Sequence, residues 1–125
     1  MDSSAYVKTL LCEAERGALL VELAEWEGYV SSALLAVESV RACARRGAKY
    51  ARDARGWLEG ISLLPLDDAI LDIAIELEPA GLRSLDALHL ATALSIRDEI
   101  GVLVTYDERL GQAAKEQGLK ISQPA

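Results

Sequence analysis

Four acidic residues, Asp2, Glu38, Asp86 and Asp107, lie far apart in the chain at positions where its pattern otherwise takes apolar or neutral residues. Each stands at the start of a predicted helix or within its apolar part. A carboxylate in such a place is unfavourable unless a cation or a set of donors holds it. Gathered together, the four would repel, and without a cation some would take up protons. An all-oxygen set suits Mg²⁺ or Mn²⁺, whereas Zn²⁺ would call for His or Cys. Mg²⁺ keeps several waters, which supply a nucleophile, and it binds phosphate oxygens. The chemistry implied is metal-assisted phosphodiester hydrolysis. No Ser or Cys nucleophile with its own base is apparent. His89 is the only histidine; it lies three residues after Asp86 on much the same helix face, and its apolar neighbours favour a structural role.

Each acid also has a local explanation. Glu38 shares a helical stripe with Leu34, Val37 and Arg41, so it could pair with Arg41. Asp86 falls in a first helical turn, where the helix dipole favours a negative charge. Asp107 could serve only as the N-cap of the next helix. The two views differ on stability. If the acids are crowded, Asp86→Asn leaves the metal-free fold equally or more stable.

The elements that must position these acids alternate along the chain. The pattern predicts a helix from Ser3 to Leu11, capped by Asp2 or Ser3, and a second over Ala18–Trp26 with Leu19, Leu20 and Leu23 facing in. A short strand follows at Tyr29–Ser32, then a helix over Leu34–Arg46 with Leu34, Val37 and Val40 at helix spacing. Gly47 ends it, and Ala48–Glu59 forms another helix. Ile61–Leu64 reads as a strand stopped by Pro65. Asp67 or Asp68 caps a helix whose inner face is Ile70, Ile73, Ala74 and Leu77. Ser84 is the expected cap of Leu85–Arg97, a helix apolar nearly all round and therefore buried. Val102–Tyr106 has the composition of a buried parallel strand. Asp107 starts a helix to Gln117, and a last strand lies around Lys120–Ser122. Strands separated by helices imply crossover connections and a mostly parallel sheet covered on both faces. Ligands of such sheets bind beyond the carboxyl ends of the strands, where Asp107 falls.

The chain has 125 residues, enough for a single domain spanning 1–125, and 51% are apolar, so a packed core is expected. That share also leaves room for an apolar surface covered by a partner. No apolar run approaches the ~20 residues of a membrane span, and the N-terminus carries no signal-peptide pattern. Cys12 and Cys43 fall in helical patterns, as reduced core thiols of a cytoplasmic protein would. The net charge of −7 argues against nonspecific nucleic-acid binding. Its distribution does not: Arg41, Arg45, Arg46, Lys49, Arg52 and Arg55 cluster with a single acid, Asp53. Such a stretch is either a polyanion footprint or a solvated helix face.

Four segments together resemble the PIN-domain ribonucleases of the VapC toxin type. They are DSSAYVK at the start, SSALLAVESVRA around Glu38, SLDALHLATAL around Asp86, and VTYDERL around Asp107. They occur in order and cover nearly the whole chain. The resemblance implies a three-layer α/β/α PIN-like fold with a short, mostly parallel central sheet. It implies that Asp2, Glu38, Asp86 and Asp107 are the metal-site acids, with Ser4 and Thr105 as supporting hydroxyls. It further implies a Mg²⁺- or Mn²⁺-dependent endoribonuclease acting on RNA, a homodimer, and inhibition by a cognate antitoxin protein. One departure concerns Asp2. The family places a short strand before its first acid, whereas here only Met1 precedes it: either that strand is lost or the start lies upstream, and if the strand is lost Asp2 is the least firmly held of the four.

Two alternatives use the same residues. A catalytically impaired PIN-like binding module would keep the fold without activity. A phosphoacceptor receiver domain would also gather carboxylates around Mg²⁺. It would need an acceptor Asp at a central strand end, for which Asp67 is the candidate, and a Lys after a late strand, where only Lys120 is available.

Overall fold

The computed structural model describes residues 28–123 and, before them, Gly17, Leu20, Val21 and Ala24. Asp2, Ser4, Cys12 and the helix expected over Ser3–Leu11 lie outside the described residues; of the helix expected over Ala18–Trp26, Leu20, Val21 and Ala24 are described, and all three are helical. Those described form five long helices: α1 (Leu34–Ala44), α2 (Ala48–Leu58), α3 (Asp68–Glu76), α4 (Ser84–Ser95) and α5 (Glu108–Glu116). The strands are β1 (Val30–Ser32), β2 (Ser62–Leu64), β3 (Leu103–Val104) and β4 (Ile121–Ser122).

Both strand pairings are parallel, as the alternation of helices and strands requires. β1 pairs with β2, Val30 opposite Ser62, after the α1–α2 crossover. β3 pairs with β4, Leu103 opposite Ile121, after α5. Among the described residues these are two separate pairs rather than one sheet. The strands are shorter than the apolar runs suggested, because only two or three residues of each make ladder bonds. Single bonds extend both pairs: Ala33 N–H donates to Leu64 O at 2.8 Å and Thr105 N–H to Ser122 O at 3.2 Å. The second tethers the chain just before Asp107.

Helix α4 forms the centre. Asp86, Ala87, His89, Leu90, Ala91, Thr92 and Ala93 are all buried on it, the all-round burial its composition predicts. Leu90, Leu103, Leu110, Ala113 and Ala114 form the core cluster, so α4, β3 and α5 are joined by one apolar contact. Thr92 Oγ1 is satisfied within the helix by donating to Leu88 O at 2.8 Å. Ser84 is the first residue of α4 and not its cap; Arg83 holds the cap position with no capping side-chain bond. Asp67 caps α3 as expected, its Oδ1 accepting Ile70 N–H at 2.9 Å.

Helix α1 differs from expectation in phase. Leu35, Ser39 and Cys43 are its buried residues, while Val37 is 58% exposed. Adjacent leucines at 34 and 35 fit two helical phases equally well, and packing selects the second. That phase puts small residues inward where α2 presents buried Ala54. Ser39 satisfies its hydroxyl by donating to Leu35 O at 2.5 Å. The turn into α2 passes through Gly47 at φ 138°, where an L side chain would be strained. Cys43 is a free, buried thiol, as predicted. Burial pushes its pKa up, against the opposing charge of Arg46.

Candidate metal centre

Each described site acid is held by the element that carries it. Asp86 lies in the first turn of α4 and is only 8% exposed. Asp107 is the N-cap of α5, its Oδ1 accepting Leu110 N–H at 2.9 Å. Thr105, buried at the end of β3, accepts Asp107 N–H on Oγ1 at 3.0 Å. The hydroxyl therefore fixes the backbone from which the Asp107 carboxylate projects.

One guanidinium joins the two aspartates. Arg83 Nε donates to Asp86 Oδ2 at 2.9 Å and Arg83 Nη2 donates to Asp107 Oδ2 at 3.0 Å. Two carboxylates from separate helix N-termini thus converge on a single cation. Arg83 is itself held more firmly protonated than usual, first by the hydrogen bond to Asp86 and then by the charges of both aspartates. Sequence reasoning missed Arg83. Its spacing from Asp86, three residues, is a signal for the local ion pair. Nothing in the sequence signals the reach to Asp107.

Glu38 arrives from α1. Its Oε1 lies 2.5 Å from His89 Nε2. A carboxylate has no proton to give, so the ring N–H donates. His89 is buried, as its apolar neighbours suggested, with its side chain 3% exposed; it also clips Glu38 to the helix that carries Asp86. Arg41, the rival partner weighed from sequence, is on the exposed face of α1. We predict that His89→Ala lowers unfolding stability by about 1–3 kcal/mol, because it removes a buried donor that holds a carboxylate. His89→Gln, which keeps a side-chain donor, should lose less. Urea melts in the absence of metal measure both.

Among the described residues, no group of three or more His, Cys, Asp and Glu side chains stands close enough to hold a metal by itself. The donor chemistry still fits a hard divalent cation. Mg²⁺ is commonly held by one or two carboxylates, with waters and substrate phosphates completing its shell. Asp86 and Asp107 already meet around one positive charge. Among the described residues the site offers no thiol, and its one imidazole is engaged with Glu38, so a softer metal has little to bind there.

Comparisons with known proteins identify the family and relatives of this chain. Residues 1–116 match the family profile described as PIN domain. The chain is similar to ribonuclease VapC46 of Mycobacterium tuberculosis, 41% identical over 125 residues, which is all of this chain and 96% of the relative. Ribonuclease VapC47 of the same species is 39% identical over 99% of this chain and 95% of its own. Ribonuclease VapC35 is 33% identical, with 99% and 95% covered. The phosphoacceptor alternative falls here. Its candidate acceptor, Asp67, is the exposed cap of α3.

Proposed function

This chain belongs to the PIN-domain family, and we propose that it is an endoribonuclease of the VapC type that hydrolyses RNA phosphodiester bonds with Mg²⁺ or Mn²⁺. Nucleases of this type generally use divalent metal ions. The observation that supports the reading most is the meeting of Asp86 and Asp107 on one cation, although they come from different sequence motifs. In this reading the chain acts as the toxin of a cytoplasmic toxin–antitoxin pair, with a cognate antitoxin protein as its inhibitor.

Asp86 and Asp107 would hold the metal, with Glu38 and Asp2 completing the acidic set and Ser4 supporting it beside Thr105. When bound, the ion supplies Lewis acidity toward a phosphate oxygen and acidifies a bound water. The protein's own work is positional. The first turn of α4 places Asp86 where a negative charge is favoured. Thr105 and the α5 cap fix Asp107, and His89 fixes Glu38. One acid of the set takes the proton of the attacking water. Incubating purified protein with structured RNA tests the reading: cleavage with Mn²⁺ that stops with EDTA supports it, and no cleavage under either condition contradicts it.

The basic stretch is proposed as the RNA footprint. Arg41, Arg45, Arg46, Lys49, Arg52 and Arg55 are all exposed. Glu38, Arg41 and Arg45 follow one another along one face of α1, so the basic row leads away from a site acid. Arg46 also lies 5.9 Å from the Tyr50 ring centroid. Arg45→Glu should weaken RNA binding across sequences and flatten the dependence of log affinity on log salt by about one. A filter-binding salt titration measures it.

A homodimer is also part of the proposal. Leu71 and Ile75, one turn apart on α3, are exposed apolar side chains that a second copy could cover.

A further inference from the structure

We infer that Arg83 is the resident counter-ion of this site, occupying the metal-binding face of Asp86 and Asp107 until a divalent cation displaces it. The inference rests on the metal-dependent reading above and adds a residue to it.

The competition is for particular atoms. Asp107 Oδ1 is already committed to Leu110 N–H, which leaves Oδ2 to face an incoming cation. Arg83 Nη2 is bonded to that Oδ2, and Arg83 Nε to Oδ2 of Asp86. An ion reaching both oxygens would stand beside a guanidinium, and two cations so close repel strongly at a partly dehydrated site. One of them must leave.

Arg83 is built to be the one that leaves. Its side chain is 69% exposed, against 12% for Asp86 and 21% for Asp107. It is therefore held by its two ion pairs rather than by packing. It stands just outside α4, in extended backbone. Swinging the side chain into solvent disturbs no helical hydrogen bond. The carboxylates, in contrast, are fixed by helix starts on both sides.

This arrangement gives the apo protein a formed site. Without Arg83 the two carboxylates would lose the cation that they share, and their like charges would favour separation. With it, the acids stay near their working spacing, and metal binding begins only when the ion outcompetes an internal cation. Arg83 thus sets the metal concentration at which the site fills.

The test is calorimetric titration of Mn²⁺ into wild-type protein and into Arg83→Ala and Arg83→Lys, with thermal melts of each in EDTA. Arg83→Ala should bind Mn²⁺ about fivefold more tightly or better while its metal-free Tm falls. Arg83→Lys, a single point charge without the fork, should lie between. A purely structural Arg83 predicts the opposite sign: a lower Tm with unchanged or weaker Mn²⁺ binding, which overturns the inference. Mn²⁺ binding absent from all three proteins would overturn the metal-dependent reading and this inference with it. Should Arg83→Ala not fold, the wild-type protein serves. On Mg²⁺ titration, the Arg83 side-chain Nε–H resonance should move to the position of a free arginine. A resonance unmoved at saturating Mg²⁺ overturns the inference.

Discussion

Asp86→Asn should abolish metal-dependent RNA cleavage, lowering the single-turnover rate by roughly 10²–10³-fold or more, the scale on which preorganised charges at reacting centres act. The substitution keeps the shape of the side chain and an oxygen for Arg83, and removes only the charge that a metal requires. Its effect on folding is a separate matter. Crowding alone predicts a metal-free variant as stable as the parent or more so. The structure changes that expectation, because Arg83 already compensates Asp86 and Asp107. Removing one charge therefore weakens an ion pair instead of relieving repulsion. Arg83 is largely exposed, so the loss should be small. Cleavage that persists in Asp86→Asn would mean that Asp86 is a helix-dipole residue and that the activity lies elsewhere.

The largest effect on stability is expected at the core beneath the site. Leu90 is fully buried on α4, one turn after Asp86, and packs in a cluster with Leu103, Leu110, Ala113 and Ala114. Leu90→Ala should cost about 2–5 kcal/mol from lost burial and the cavity left behind. Against the roughly 5–15 kcal/mol that holds a typical domain together, that is a large share. Because α4 carries both Asp86 and His89, the variant should lose activity in step with folded protein. Val37→Ala is the control. Val37 belongs to the helical stripe the sequence pointed inward, yet it is 58% exposed, so its truncation should change stability by no more than about 0.5 kcal/mol. Urea denaturation of the two variants measures both values. A costly Val37→Ala with a neutral Leu90→Ala would invert the core assignment.

Much of this was legible from residue types and spacing. Alternation of apolar runs with Gly and Pro gave the order of the described helices and strands. The caps at Asp67 and Asp107 followed from short polar side chains before apolar helices, and the all-round apolar character of α4 foretold its burial. Three things were not legible, each for a physical reason. The phase of α1 was ambiguous because adjacent leucines satisfy two registers, and only packing of small Ser39 and Cys43 inward selects one. Strand lengths were overestimated because apolar composition extends past the residues that make ladder bonds. The site's connections, Arg83 to Asp107 and His89 to Glu38, join residues distant in sequence, and no local pattern encodes such contacts. The acids stand out in the sequence because a carboxylate in an apolar setting is conspicuous. Their partners were missed because an Arg in a loop and a His among leucines are ordinary.

The most direct measurement is a crystal structure of the protein soaked in Mn²⁺, read by anomalous scattering. A Mn²⁺ peak bound directly to Asp86 and Asp107 oxygens, with Glu38 beside it and Arg83 turned out to solvent, is the predicted result. A site that stays free of Mn²⁺ at saturating concentration, with Arg83 still bridging the two aspartates, would contradict it.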